Sequence, residues 1–370
     1  MISKNFIYGL RALLSRLAIA WLAFFGLALL LGSAMATNIT GAGASLPYPV
    51  YAKWAAKYHQ LTGKQVNYQS IGSGGGQQQI IVGTVAFGAS DDPMSAQALA
   101  TEQLVQFPAV IGGIVPVVNI KGVKAGDLRL TGPILADIYL GQITRWDDPA
   151  IQSLNPHLQL PAQSIVVVHR SDGSGTTFNW SDYLAKVSPA WAEQVGVGKA
   201  VRWPTGQGGK GNEGVAAYVR QLDNAIGYLE YAYAVQNQLA WAQLQNQAGQ
   251  FVAPNEQSFS AAAREANWAQ TPGFGVVLTN VGGADSWPIT AASFILLKKQ
   301  QKHLPQAQAV FEFFHWVFSQ GSAIAHELHY VPLPQELVRQ IYTLWANEIT
   351  DSQGQAIWPL ADSNGEQNEP

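Results

Sequence analysis

The apolar positions of this chain fall into two alternating rhythms. Val50, Tyr51, Trp54, Ala55 and Tyr58 recur at i, i+3 and i+4, as do Val310, Phe311, Phe314, Val317 and Phe318, and both sets predict amphipathic helices with a stripe facing a core. Farther on, Pro334 suits a first helical residue, and Leu337, Val338, Ile341, Leu344 and Trp345 make one apolar face behind it. Between such segments lie short apolar runs, among them Val85-Ala86-Phe87-Gly88-Ala89 and Ile165-Val166-Val167-Val168, which read as strands. Strand and helix signals in alternation place the chain in the α/β class. No internal repeat is evident. After Trp358 the sequence turns polar and poor in helix formers, so residues 360–370 are expected to be a frayed, flexible tail.

The first residues follow a different pattern. Lys4, Arg11 and Arg16 precede an apolar run from Leu17 to Leu31, and the small residues Ser33-Ala34-Met35-Ala36 follow it. A basic region, an apolar core and an A-x-A site are what the export machinery and signal peptidase read, so residues 1–36 are expected to be a secretory signal peptide cleaved after Ala36. The run is shorter than the roughly 20 residues of a spanning helix. The chain has no cysteine, which removes disulfides, thiolate metal sites and the anchor residue of a lipoprotein. A freely diffusing exported protein points to the periplasm.

Charge narrows the partners. The whole chain has 21 basic and 24 acidic groups; losing Lys4, Arg11 and Arg16 leaves 18 against 24, a net charge of −6. No Lys/Arg stripe is present to track a nucleic-acid backbone, so nucleic acid is an improper partner for this surface. An anionic ligand would have to be held by local groups.

Those groups concentrate in four junctions where a short strand runs into a Gly/Ser/Thr loop. The N–H groups and dipole of a helix's first turn make such junctions potential anion cradles. The first, Ile39-Thr40-Gly41-Ala42-Gly43-Ala44-Ser45-Leu46-Pro47, leads to a helix expected near Val50; the second passes from Val66–Gln69 through Gly72-Ser73-Gly74-Gly75-Gly76 to a helix expected from Gln77. Either alone reads equally well as an ordinary turn with a hydroxyl cap. In the third, the strand ending at Ala89 delivers Ser90-Asp91-Asp92-Pro93, with Asp91 either at the mouth of a site or simply an N-cap. The fourth is His169-Arg170-Ser171-Asp172-Gly173-Ser174-Gly175-Thr176-Thr177, with helical pattern beginning at Phe178. One guanidinium, two hydroxyls and glycine N–H groups in one loop suit an oxyanion, with Asp172 expected to brace the Arg170 fork.

Other motifs weigh little. Gly206-Gln207-Gly208-Gly209-Lys210-Gly211 fits G-x-G-x-x-G but does not follow a buried strand, and Lys210 is not followed by Ser or Thr, so the segment reads as a turn capped by Asn212. His326-Glu327-Leu328-His329 falls one residue short of H-E-x-x-H and has no evident third ligand. No G-x-S-x-G nucleophile elbow occurs, and no cofactor is implied.

In their order and spacing, Gly41–Pro47, Ile71–Gly75, Phe87–Asp91, Arg170–Thr176, Gly208–Asn212 and Ile226–Tyr231 resemble the periplasmic phosphate-binding proteins of phosphate-specific ABC transporters, the PstS family. The resemblance covers nearly the whole chain beyond the signal. It implies a two-lobed periplasmic-binding-protein fold of type II, each lobe a mixed sheet flanked by helices, with inorganic phosphate held in the cleft and handed to the importer's membrane permease subunits and their cytoplasmic ATPase. It implies a binding protein rather than an enzyme. Lobe I is expected from residues 37–110 plus 286–370 and lobe II from 111–285, joined through Phe107–Pro116 and Ser286–Thr290. Phosphate contacts carry over to Ser45, the backbone of Leu46, Ser73, Asp91, Arg170, Asp172, Ser174, Gly175 and Thr176. Relatives often have threonine and phenylalanine where Ser45 and Leu46 stand; the hydroxyl and both N–H groups survive that change. Asp91 is acceptor-only when ionised, so it favours a ligand with a proton and disfavours sulfate. A periplasmic phosphatase with the same cradle and a receptor for another protonated tetrahedral oxyanion such as arsenate are the alternatives.

Overall fold

The computed structural model describes residues 38–264, 266–268 and 270–359; the expected signal peptide and the expected tail lie outside them. A nine-stranded sheet organises these residues. Its strands are β1 (Ile39–Gly43), β2 (Val66–Ser70), β3 (Phe87–Ser90), β4 (Leu104–Asn119), β5 (Val166–Arg170), β6 (Gln207–Gly209), β7 (Ala225–Glu230), β8 (Ala240–Trp241) and β9 (Thr290–Lys298). The path across the sheet is β2-β1-β3-β9-β4-β7-β5-β6, with β8 also pairing β4.

Strand β4 holds the two halves together. Its residues Leu104–Gly113 pair antiparallel with β9, and Ile114–Asn119 pair antiparallel with β7. Fifteen of its sixteen residues are buried, which a strand covered on both faces requires. Pro108 is tolerated because the register shifts beside it, opposite Ser293 and Phe294, where a bulge relieves the missing N–H. In the first half β1 pairs in parallel with β2 and β3; in the second, β5 pairs in parallel with β6 and β7. A parallel pair needs a crossover, and helices supply it.

The helices that bear on the site are α1 (Tyr48–Thr62), α2 (Ser73–Val82), α3 (Gly175–Val187), α4 (Gly211–Gln221) and α5 (Tyr231–Gln236). Behind the first half lie α6 (Leu304–Gln320) and α7 (Gln335–Glu348). The sequence stripes are where the core is: Val50, Tyr51, Trp54 and Tyr58 of α1 are buried, as are Val310, Phe311, Phe314, Val317 and Phe318 of α6 and Leu337, Val338, Ile341 and Trp345 of α7. Phe107 of β4 meets Phe314 and Trp345 edge-on, with ring centroids 5.9 and 5.3 Å apart. Each fully buried aromatic of this kind contributes roughly 1.5–3 kcal/mol. Among the described residues no helix is long and apolar enough to cross a membrane.

Two helix starts differ from the sequence reading by a turn. Helix α2 begins at Ser73 rather than Gln77, so Gly74, Gly75 and Gly76 are helical. The glycines are needed for proximity: a Cβ on Gly76 would stand 2.5 Å from both the Ala89 carbonyl and Gly43 Cα, so α2 lies directly on the backbone of β1 and β3. Helix α3 begins at Gly175 rather than Phe178, which puts Thr176 and Thr177 in its first turn. Smaller offsets are seen at α1, which starts at Tyr48, and at α7, where Pro334 is the N-cap.

Candidate functional site

Four of these helices begin directly after a strand, and hydrogen bonds bring their starting turns together. The turn after β1 brings Ser45 to the start of α1, and the turn after β2 brings Ser73 to the start of α2. Strand β3 ends beside them and delivers Asp91. From the other half, β5 ends on Arg170 and leads through Asp172 and Ser174 into α3, while β6 leads into α4. Direct hydrogen bonds bind the two sets. Ser73 Oγ accepts from Gly175 N at 3.0 Å, Ser45 Oγ accepts from Asn212 Nδ2 at 3.0 Å, and Gly74 N donates to the Gly173 carbonyl at 2.9 Å. At the rim, Lys199 reaches Gln77 and Asp92 from the opposite side. The two halves of the sheet therefore meet in a closed arrangement. Gly72, with φ 84°, makes the tight entry to α2; a Cβ there would strike Asp172 Oδ2 at 2.4 Å.

The hydroxyls share one property. Ser45 Oγ accepts from Asn212 N and Nδ2, at 3.3 and 3.0 Å; Ser73 Oγ accepts from Asp91 N and Gly175 N, at 3.1 and 3.0 Å. Ser174 Oγ, the N-cap of α3, accepts from Thr177 N at 3.0 Å, and Thr176 Oγ1 accepts from Arg170 Nη1 at 3.2 Å. A hydroxyl has one proton and two lone pairs. Ser45 and Ser73 thus have both lone pairs engaged by protein donors, and Ser174 and Thr176 one each; Ser73 gives its proton to Asp91 Oδ2 at 3.5 Å, while the other three hydroxyls donate to no acceptor among the described residues. All four residues are buried.

The charged groups are held just as firmly. Arg170, 3% exposed, donates from Nε to Asp172 Oδ1 at 2.7 Å and from Nη2 to Asp172 Oδ2 at 2.5 Å. Asp172 Oδ1 also accepts from Gly211 N at 3.0 Å. Burial works against the Asp172 charge, but the Arg170 fork, its positive charge and the Gly211 N–H outweigh it and hold the carboxyl below its ordinary range. Asp91 faces the reverse balance. It is 2% exposed, and burial pushes its carboxyl up to about 7 against the pull of the Ser293 hydroxyl, Arg170 and Ser73. Its Oδ2 lies 3.5 Å from Ser73 Oγ, while Oδ1 has no hydrogen-bond partner in the protein. The Asp91 backbone is pinned through its carbonyl, which accepts from Asn179 Nδ2 of α3 at 2.8 Å.

All nine residues singled out from the sequence thus stand at this junction: Ser45, Leu46, Ser73, Asp91, Arg170, Asp172, Ser174, Gly175 and Thr176. Asp91 is no helix cap; the cap of the short helix that follows is Ser95. Asn212 is not a cap either. Lys210 holds the N-cap position of α4, and the Asn212 side chain reaches instead to Ser45. Asn212 was visible only as part of a glycine-rich segment. Tyr233 and Tyr330, whose hydroxyls hold the Ser45 and Leu46 carbonyls, carry no local signal. Glu230, fully buried, caps α5 through Ala232 N, and burial raises its carboxyl well above the usual range. Away from the site, His326 contacts Glu256 at 2.7 Å, and no cluster of metal-ligating side chains occurs among the described residues.

Comparison with known proteins adds the following. The family model described as a PBP superfamily domain matches residues 32–320. The phosphate-binding protein PstS of Pasteurella multocida is 62% identical over 323 residues, 87% of this chain and 94% of its own length. That of Haemophilus influenzae is 61% identical, over 85% of this chain and 95% of its own. Among solved structures, a high affinity periplasmic phosphate-binding protein bound with phosphate aligns with a TM-score of 0.67 at 22% identity, over 83% of this chain and 94% of that one. A phosphate binding protein from Stenotrophomonas maltophilia aligns with a TM-score of 0.66 at 20% identity, over 90% and 100%. At such identities the solved structures bear on the fold, and they share it.

Proposed function

This chain belongs to the PstS family of phosphate-binding proteins within the PBP superfamily, and on that premise we propose that it captures inorganic phosphate and delivers it to the phosphate ABC importer. One observation carries the reading beyond family membership. The junction gathers buried hydroxyls that already accept from protein donors, one braced guanidinium, and the buried Asp91 carboxyl, whose Oδ1 has no protein partner. Donors on every side with one acceptor among them match an oxyanion that still carries a proton.

Ser45, Ser73, Ser174 and Thr176 would donate through their hydroxyls, Leu46 and Gly175 through backbone N–H groups, and Arg170 through its guanidinium with Asp172 fixing its fork. Asp91 would take the ligand's proton. Sulfate has none, so above about pH 7, where Asp91 is ionised, its oxygen would face the Asp91 oxygen in a dry site, a penalty on the order of several kcal/mol that shrinks as Asp91 takes up its own proton at lower pH. Lobe I would comprise residues 37–110 and 286–370 and lobe II residues 111–285, so that ligand bound to both favours closure. A periplasmic location, reached after cleavage behind Ala36, fits this role.

A phosphatase reading has less support. Phosphate monoester hydrolysis demands very large acceleration, usually from metal ions or a cationic nest, and here the one guanidinium is neutralised by Asp172. Residues 37–370 should bind phosphate one-to-one by isothermal titration and should not turn over a phosphomonoester, with or without added divalent metal. Turnover dependent on Asp91 or Ser73 would overturn the proposal.

A further inference from the structure

Three successive carbonyls in the turn between β1 and α1 each accept a hydrogen bond from a tyrosine. Tyr68 OH donates to the Ala44 carbonyl, Tyr233 OH to the Ser45 carbonyl and Tyr330 OH to the Leu46 carbonyl, each at 2.7 Å. The three tyrosines come from different parts of the fold: Tyr68 from β2, Tyr233 from α5 and Tyr330 from the segment before α7. A trans peptide is planar, with its N–H opposite its carbonyl. Holding the Ala44 carbonyl therefore aims the Ser45 N–H away from Tyr68, and holding the Ser45 carbonyl aims the Leu46 N–H away from Tyr233. Among the described residues neither N–H donates to a protein acceptor. The third peptide differs, because Pro47 has no N–H to aim.

We propose that Tyr68 and Tyr233 are positioning residues for the anion: by fixing the Ala44 and Ser45 carbonyls they point the Ser45 and Leu46 N–H groups at the ligand. The assignment rests on the phosphate reading given above. Tyr233 OH also lies 3.0 Å from Glu213 Oε1, a carboxylate oxygen that Ser70 Oγ approaches at 3.3 Å as a second donor. Tyr233 follows β7 in the second half of the sheet, whereas its acceptor belongs to the first, so the Leu46 N–H is locked when the halves meet. Tyr330 plays a structural part. It is fully buried and also lies 2.8 Å from Glu230 Oε2.

Tyrosine-to-phenylalanine variants separate these roles, because each removes one hydroxyl and keeps the ring. Tyr68→Phe and Tyr233→Phe should each weaken phosphate binding about tenfold in isothermal titration, the effect of one lost hydrogen bond to a charged ligand's donor set. Tyr330→Phe should lower the thermal midpoint of the ligand-free protein most and leave phosphate affinity within about twofold. Amide NMR gives a readout that general destabilisation does not move. Phosphate should displace the Ser45 and Leu46 resonances of the wild type; the Leu46 displacement should shrink in Tyr233→Phe and the Ser45 displacement in Tyr68→Phe. If Tyr233→Phe fails to fold, the Tyr68→Phe and wild-type spectra decide. Wild-type amides that ignore bound phosphate, or three variants that weaken it equally or not at all, overturn the assignment. A wild type that binds no phosphate overturns the underlying reading instead.

Discussion

Replacing Asp91 with asparagine isolates the cost of keeping a carboxylate in the site. In the unfolded chain an aspartate titrates near 3.8, and in the folded protein burial pushes Asp91 up to about 7. Between those values the folded state holds a proton that the unfolded state has released. Stability is therefore highest at low pH and falls as pH rises through this window, with the full loss reached above about 7. A separation of about three pH units corresponds to roughly 4 kcal/mol at about 1.4 kcal/mol per unit. Asparagine keeps the shape and removes the titration. In urea unfolding of the ligand-free protein, Asp91→Asn should be more stable than the wild type by an amount that widens by about 2–3 kcal/mol from pH 5 to pH 8. The other titrating groups cancel in that difference. Excess phosphate should stabilise both proteins, because the asparagine amide oxygen can still accept the ligand's proton. A difference that stays flat with pH, or a wild type more stable than the variant at pH 8, would refute the reasoning.

Two substitutions test the rest of the site. Arg170→Lys keeps a charge but loses the fork that meets Asp172 through Nε and Nη2 and Thr176 through Nη1, and phosphate affinity by titration should fall about 10- to 100-fold. Gly175→Ala would set a Cβ 2.5 Å from Ser73 Oγ and 2.6 Å from Asp91 Cβ, at the seam where the two halves meet. Phosphate binding should drop by about two orders of magnitude or more while far-UV circular dichroism stays that of the wild type, because the clash opens the closed arrangement without touching either half's core.

Local patterns told much of this from the sequence. The stripes of α1, α6 and α7 were legible because helical period and burial coincide, and the four junctions were legible because strand, glycine and hydroxyl stand within ten residues of each other. The run Gly74-Gly75-Gly76 misled, since glycine weakens an isolated helix; here Gly76 lets α2 rest against Gly43 and Ala89, and Gly74 lets it approach Gly173. Thr176 and Thr177 were read as loop for a similar reason, their hydroxyl-rich setting resembling a turn, although Ser174 in front of them is the actual cap. What stayed hidden depends on distant pairing. Tyr233 and Tyr330 reach their acceptors across 188 and 284 residues, and Asn212 reaches Ser45 across 167. Ser293 is brought beside Asp91 only because β9 pairs antiparallel with β3, Phe294 opposite Ser90. No spacing rule reads such contacts from one chain.

The closed arrangement also explains why charge can be so sparse. On the phosphate reading proposed above, the first turns of α1, α2, α3 and α4 and the hydroxyls would supply the positive side of the site through dipoles and donors, so that Arg170 can remain balanced by Asp172 while Asp91 keeps an acceptor among them. On that reading, selectivity would lie in a proton rather than in net charge.

Competition between phosphate and sulfate for residues 37–370, stripped of ligand and titrated well above pH 7 so that Asp91 is ionised, tests that claim most directly. Saturable one-to-one binding of phosphate, undisturbed by a thousandfold excess of sulfate, is the expected result, with Asp91→Ala narrowing the gap. Equal affinity for the two anions, or a gap unchanged in Asp91→Ala, would contradict it.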